Sequence, residues 1–408
     1  MAHIAVVGAG ITGVTTAWAL CQRGYDVTVF DKNRYAAMET SFANGGQLSA
    51  SNAEVWTNLS TMIKGMKWLL KPDAPLSMNL RPSWHKYSWL AEFTSNFRNY
   101  ESNTIKTAKL AIESRRYMNE FAKEAGVQFD REDAGILHFY NKHSEFEHAH
   151  RVTDMLGRAG LERRRLTPEE VYKIEPTICS DVIGGYFTPS DFTGDIHKFT
   201  MGLAEACERA GVRFVMNAEI VDIDHNGQQP VLHWQNKDES RGEEAFDGVV
   251  ISAGIHSRIL AKQCGDRVNI YPVKGYSITV NLPDEASQKA APTVSLLDDA
   301  AKIVTARLGK DRFRVAGTAE INGVNYNIRA DRIRPLTRWV EDNFPDICTE
   351  HVVPWAGLRP MMPNMMPRID AGRKKGVFYN TGHGHLGWTL SCVSANMVAD
   401  IVQSKHNH

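Results

Sequence analysis

Three glycines near the start of the chain carry its clearest chemistry. Gly8, Gly10 and Gly13 lie in the run HIAVVGAGITG, residues 3–13, where an apolar strand must turn sharply into a helix while its backbone approaches a pyrophosphate. Gly8 permits the turn, Gly10 lets the phosphates come close, and Gly13 lets the helix pack on the strand with its first N–H groups facing the anion. Asp31 stands 18 residues after Gly13, at the end of a second apolar strand, where a ribose-binding carboxylate is expected. The pattern predicts a βαβ unit with a dinucleotide against it and leaves FAD and NAD both open.

Other candidates lie far along the chain. Arg359, fixed between Leu358 and Pro360 at the edge of an apolar stretch, can present a planar fork to a carboxylate; the competing use is to neutralise carbonyls or an acid. Tyr276 is the natural second contact, through a phenol that hydrogen-bonds the same carboxylate or closes over the ligand, although a tyrosine in such a strand also serves a core. Lys274 is expected to support a cofactor or the sheet edge rather than act as a base. His383 and His385 flank a turn built on Gly382, Gly384 and Gly387; each either lines the site or is a polar surface residue. No Ser/His/Asp or Cys/His constellation stands out, and no metal spacing is present, so a cofactor is expected to carry the difficult step.

The composition excludes little else. The chain has 408 residues, 43% hydrophobic and 23% charged, and balances 47 Lys+Arg against 47 Asp+Glu, so no global field favours nucleic acid. Six cysteines without CxxC pairing read as reduced core residues of a cytoplasmic protein. Neither a leader nor an 18-residue apolar run is visible, which argues against secretion and membrane spanning.

The elements that must position these residues are interleaved. Nucleotide-fold pieces are expected at 1–55, 191–267 and 353–408, the second carrying a helix from Asp195, a buried strand 248–252 and the turn Ala253-Gly254. A substrate domain is expected from 56–190 and 268–352, helical over 56–125 and strand-rich at 136–140, 183–188, 273–281, 303–308 and 313–316. The fold class is α/β: a Rossmann-like unit, interleaved with an α+β domain on a mostly antiparallel sheet.

Five motifs in register resemble one family. Together with the glycine fingerprint, the runs TSFANGGQLS (40–49), PVKGYSIT (272–279), WAGLRPM (355–361) and TGHGHLGWT (381–389) are similar to the D-amino-acid oxidase superfamily, and most of all to its bacterial D-amino-acid dehydrogenases of the small-subunit type. The resemblance implies a glutathione-reductase-like fold and non-covalent FAD. It implies cofactor contacts from Lys32, Thr40, Ser41, Asn44, Gly45, Gly46, Ile220, Ala253, Gly254, His383 and Leu386, besides the glycines and Asp31 already named. It also implies that Arg359 binds the substrate carboxylate, with Tyr276 and His385 beside it. The activity implied is oxidative deamination of D-amino acids, with hydride passing from Cα to flavin N5, hydrolysis of the imino acid, and electrons delivered to a quinone or other acceptor. Stereochemistry rests on the resemblance alone, and oligomeric state is left open.

One departure and one stripe qualify that reading. After the GLRP run the chain has Met362-Pro363-Asn364-Met365-Met366-Pro367 in place of the usual PDG-like turn, so no cofactor contact is expected from this loop. Apolar residues at 55, 56, 59, 62, 63, 66, 69 and 70 form a helical stripe flanked by Lys64, Lys67 and Lys71. Packing on its own domain is the commoner use of such a stripe; peripheral contact with the inner face of a membrane is the other. Oxidation of cyclic or N-substituted amino acids, and a non-catalytic electron-transfer flavoprotein, are the alternative functions.

Overall fold

The computed structural model describes residues 2–69, 74–225 and 229–406. Six strands build the first sheet, the four central ones short apolar runs buried on both sides, in the order Arg368–Ala371, Val377–Thr381, Gly248–Ile251, His3–Val7, Asp26–Asp31, Arg213–Met216. All neighbours are parallel except the antiparallel edge strand Arg368–Ala371. Strands buried on both faces need cover on both. Helices Ile11–Cys21, Ile196–Arg209 and Gly387–His406 supply one side, packing Val14, Phe199 and Val398 into a common core. The other side is closed by helix Ser257–Gln263 and the antiparallel strands Ala218–His225, Pro230–Asn236 and Arg241–Ala245.

Among the described residues the second sheet has nine strands and is mostly antiparallel. Its edge strand Val352–Met361 pairs with Tyr271–Asn281, which pairs in turn with Arg312–Ile321. One face is covered by helix Ala330–Asn343, whose Leu336, Trp339 and Val340 pack with Tyr276, Ile278 and Val280. The opposite face receives the loop 40–46. A Cβ on Gly45 would stand 2.6 Å from the Val304 side chain and one on Gly46 2.7 Å from Ala306, while Ser277 Oγ donates to the Ala43 carbonyl at 2.9 Å. That loop makes this the face turned toward the nucleotide unit.

Several expectations are corrected. Val352–Met361 belongs by pairing to the second sheet, so the boundary expected at 353 moves into the turn after Met361. The stretch 56–125 holds helices Leu59–Trp68, Trp84–Ser95 and Tyr100–Ala125, but the last packs Met118, Phe121 and Ala125 into the first core and so belongs to the nucleotide unit. Cys179 and Cys348 are exposed rather than core residues. Of the apolar stripe, Val55 is buried, but Leu59, Ile63 and Met66 are exposed along one side of their helix; Leu70 and Lys71 lie outside the described residues. No helix among the described residues is long and apolar enough to cross a membrane.

Candidate active site

A cleft of about 370 Å³ opens where the strands of the first sheet end. Gly8 and Gly10 form its floor; Gly8 has φ +109°, and a Cβ there would strike the Ser252 carbonyl oxygen at 2.6 Å. Gly13 lies one turn behind, where a Cβ would come within 1.8 Å of the Gly8 carbonyl oxygen, so helix and strand touch only because the side chain is missing. Beside the glycines the Ser41 hydroxyl accepts the Ile11 N–H at 2.9 Å, marking the first turn of the helix as a place for an oxygen ligand. Asp31 Oδ2 accepts the Ala9 N–H at 2.7 Å and Oδ1 accepts from Asn33. Burial pushes its carboxyl pKa up, and those hydrogen bonds oppose the shift.

Lys32, Thr40, Ile220, Ala253 and Gly254 line the same cleft, as do Gly382, His383, Gly384 and Gly387 at its far wall. His383 is held from behind by Ser394 Oγ at 2.9 Å, and burial lowers its pKa to about 3, so the ring is neutral. The residues fit a dinucleotide. Gly8 and Gly10 leave the floor bare of side chains, and Ser252 Oγ lies buried in the wall with no protein partner among the described residues. FAD would lie along Gly8, Gly10, Asp31 and Ser41 and continue toward Gly382–Gly387.

The second half of the site is built on the sheet. Val273 pairs with Arg359 and Gly275 with Gly357, and directly opposed residues share a face. Ser277, which holds the loop 40–46, has the same parity, so Arg359 projects on the side of the nucleotide unit. Its guanidinium lies over Gly275, where a Cβ would stand 2.3 Å from Cζ. No hydrogen bond or ion pair to Arg359 occurs among the described residues, and burial lowers its pKa to about 10, leaving it charged at neutral pH. His385 stacks on Trp56 with ring centroids 4.4 Å apart and planes at 17°. Burial lowers its pKa to about 3, the Arg359 charge adding to the effect, and neither ring nitrogen has a hydrogen-bond partner among the described residues.

The structure moves other expected residues away. Tyr276 sits on the opposite face from Arg359, because adjacent positions of a strand point to opposite sides. Its hydroxyl donates to Glu320 Oε2 at 2.6 Å beneath helix Ala330–Asn343, which corrects its expected place as a substrate contact. Lys274, with the same parity, is ion-paired with Glu320 at 2.9 Å. Leu386 is buried among Ala50, Ala53 and Leu390 rather than exposed to the cleft. Asn44, Gly45 and Gly46 also lie outside the cleft lining; Asn44 Oδ1 accepts the Gly46 N–H at 2.9 Å and shapes the loop against the sheet.

Asn33, Glu39, Ser252, His256 and Trp56 were not picked out from sequence. Lys32 Nζ donates to His256 Nε2 at 2.9 Å across the cleft and pairs with Glu39 at 3.0 Å. The short run Gly254-Ile255-His256 after a buried strand was the available signal for His256; Trp56 had none, since only folding brings it to His385.

Parallel sheet, glycine cleft and facing antiparallel sheet define a two-sheet dinucleotide-dependent oxidoreductase. The chain belongs to the DAO family of FAD-dependent oxidoreductases, whose model matches residues 3–401. It is 56% identical over 402 residues to D-amino acid dehydrogenase 3 of Mesorhizobium japonicum, covering 98% of this chain and 97% of the relative. It is 40% identical to D-amino acid dehydrogenase of Paramagnetospirillum magneticum, covering 98% and 95%. Two solved structures share the fold. Glycine oxidase from Geobacillus kaustophilus gives a TM-score of 0.78 at 20% identity, covering 99% of this chain and 95% of that one. L-proline dehydrogenase from P. horikoshii gives 0.75 at 16%, covering 99% and 93%.

Proposed function

We propose that this chain is an FAD-dependent dehydrogenase that oxidatively deaminates D-amino acids to 2-oxo acids and ammonium, passing the electrons to a quinone or similar acceptor. The observation that carries the reading is Arg359: a charged, half-buried guanidinium on the ligand-facing side of the sheet, with no partner among the described residues. A charge partly withdrawn from water and left unpaired is costly, and a substrate carboxylate received in two parallel hydrogen bonds relieves it. The likeness to relatives named as D-amino acid dehydrogenases supports the choice of the D series.

Bound FAD supplies the two-electron acceptor for the Cα–H bond. Arg359 fixes the carboxylate, Gly275 leaves the space that its guanidinium occupies, and the Trp56–His385 pair walls the site beside them. Orientation of this kind removes much of the entropic barrier, which suits a site without a strong base. The imino acid then hydrolyses in water. In anaerobic titrations, D-amino acids should bleach the yellow holoenzyme and a quinone should restore the colour faster than air. Bleaching only by cyclic or N-methyl compounds would transfer the assignment to those substrates, and no bleaching would favour an electron-transfer role.

The exposed row Leu59, Ile63 and Met66, with Trp84 87% exposed in the next helix, supports peripheral contact with a bilayer that holds such a quinone. Replacing the three row residues by serine should reduce flotation with anionic vesicles and leave bleaching by substrate unchanged.

A further inference from the structure

We infer that His385 is the amine-recognising residue of the site: its neutral ring accepts a hydrogen bond from the α-amino group of the ligand whose carboxylate Arg359 holds. The inference rests on the reading of Arg359 as the carboxylate anchor.

Three observations lead to it. The first is that both ring nitrogens of His385 are buried and without a partner among the described residues, an arrangement that a folded protein tolerates where a ligand completes the hydrogen bonding. Next, the ring is fixed. It lies flat on the Trp56 indole, and the turn that carries it begins at His383, which bridges to Met361, two positions beyond Arg359 on the same strand. Last, its chemistry matches what Arg359 lacks. A guanidinium is all donor and serves a carboxylate; an uncharged imidazole keeps one lone pair and one N–H. The ring faces the Asn52 backbone outside hydrogen-bond geometry, and that side suits its N–H, leaving the lone pair for an amine.

His385 is therefore an orienting group rather than a base. Desolvation and the neighbouring Arg359 charge keep its proton affinity far too low to deprotonate an ammonium group. What it contributes is direction: with the carboxylate and amine both held, the Cα substituents are set. A hydroxy or des-amino carboxylate, by contrast, engages Arg359 alone.

The test compares two unreactive achiral ligands of the oxidised holoenzyme, 2-aminoisobutyrate and isobutyrate, which differ only in the amine. Binding is read from the perturbation of the flavin absorption band. A hydrogen bond from an ammonium group to a neutral acceptor is worth about 10- to 100-fold in affinity, and 2-aminoisobutyrate should exceed isobutyrate by such a factor. His385→Phe keeps a flat ring on Trp56 and should abolish the preference while leaving isobutyrate affinity within about twofold of wild type. His385→Asn, which retains an acceptor, should restore part of it. Equal weakening of both ligands in His385→Phe, or an intact preference, overturns the inference. If the wild-type protein binds isobutyrate and gains nothing from the amine, this inference fails while the Arg359 reading stands. If it binds neither ligand, both fail.

Discussion

The two faces of the strand Tyr271–Asn281 carry similar residue types to opposite ends. On the face beneath helix Ala330–Asn343, Lys274 and Glu320 are 1% and 2% exposed and form a closed group: Lys274, Arg329 and the Tyr276 hydroxyl all converge on the Glu320 carboxylate. On the other face, among the described residues, nothing answers the Arg359 charge or the two His385 ring nitrogens. Both faces bury polar groups. The difference is closure: a satisfied cluster fixes the sheet, and an unsatisfied one waits for a ligand.

The comparison can be broken from either side. Glu320→Ala leaves the Lys274 ammonium buried without its partner and should cost about 3–5 kcal/mol of stability, read as a drop in the urea midpoint. The molecules that remain folded should retain wild-type kcat/KM; a large kinetic loss at full stability would put the site on the wrong face. Arg359→Ala should do the reverse. Loss of a charge-assisted carboxylate contact, about 2–5 kcal/mol, should lower kcat/KM by roughly 30- to 5,000-fold, with FAD content and melting temperature near wild type.

Gly275→Ala probes the border between the faces. The added methyl would meet the far end of the Arg359 side chain, which can swing aside. Folding should survive while the KM for substrate rises by roughly tenfold, a loss of about 1.4 kcal/mol of carboxylate binding. Unchanged KM would show that the guanidinium acts from another position.

The last prediction concerns pH. Burial holds His138 at about 4 and His383 and His385 at about 3, below the roughly 6.5 of an unfolded histidine. Above that value neither state is protonated and these groups contribute nothing. As pH falls from there toward 4 and then 3, the unfolded chain takes up protons that the folded chain refuses, so stability is lost across that window. The urea midpoint should fall between pH 7 and 5, and His385→Asn should flatten the decline; a level midpoint in the wild type would contradict the assignment of neutral rings.

What could be read from sequence follows the range of the force involved. Gly8, Gly10 and Gly13 were legible because their constraint is steric and local, each being a place where a Cβ has no room or must not intrude. Strands such as Ile136–Tyr140 and Ile303–Leu308 were legible from β-branched and aromatic runs. The face of Tyr276 was not, because its strand is buried on both sides from Tyr271 to Ser277 and alternation no longer separates ligand from core. Val352–Met361 was assigned to the wrong unit because the partner that claims it lies some eighty residues earlier. Helices His143–Arg158 and Ala330–Asn343 fall outside the expected elements; the latter carries Pro335 inside it, a residue that reads as a break.

The interleaving of the first sheet also governs how the protein is made. His3–Val7 sits between Asp26–Asp31 and Gly248–Ile251, and Val377–Thr381 closes the far side. At ribosomal speeds of about 5–20 residues per second, the glycine turn emerges roughly 10–50 s before its second neighbouring strand. Through that interval its apolar flank has one partner, exposed to chaperones and to other nascent chains. The cofactor's cradle, synthesised well before the strands that flank it, is thus among the last parts of the molecule able to hold anything.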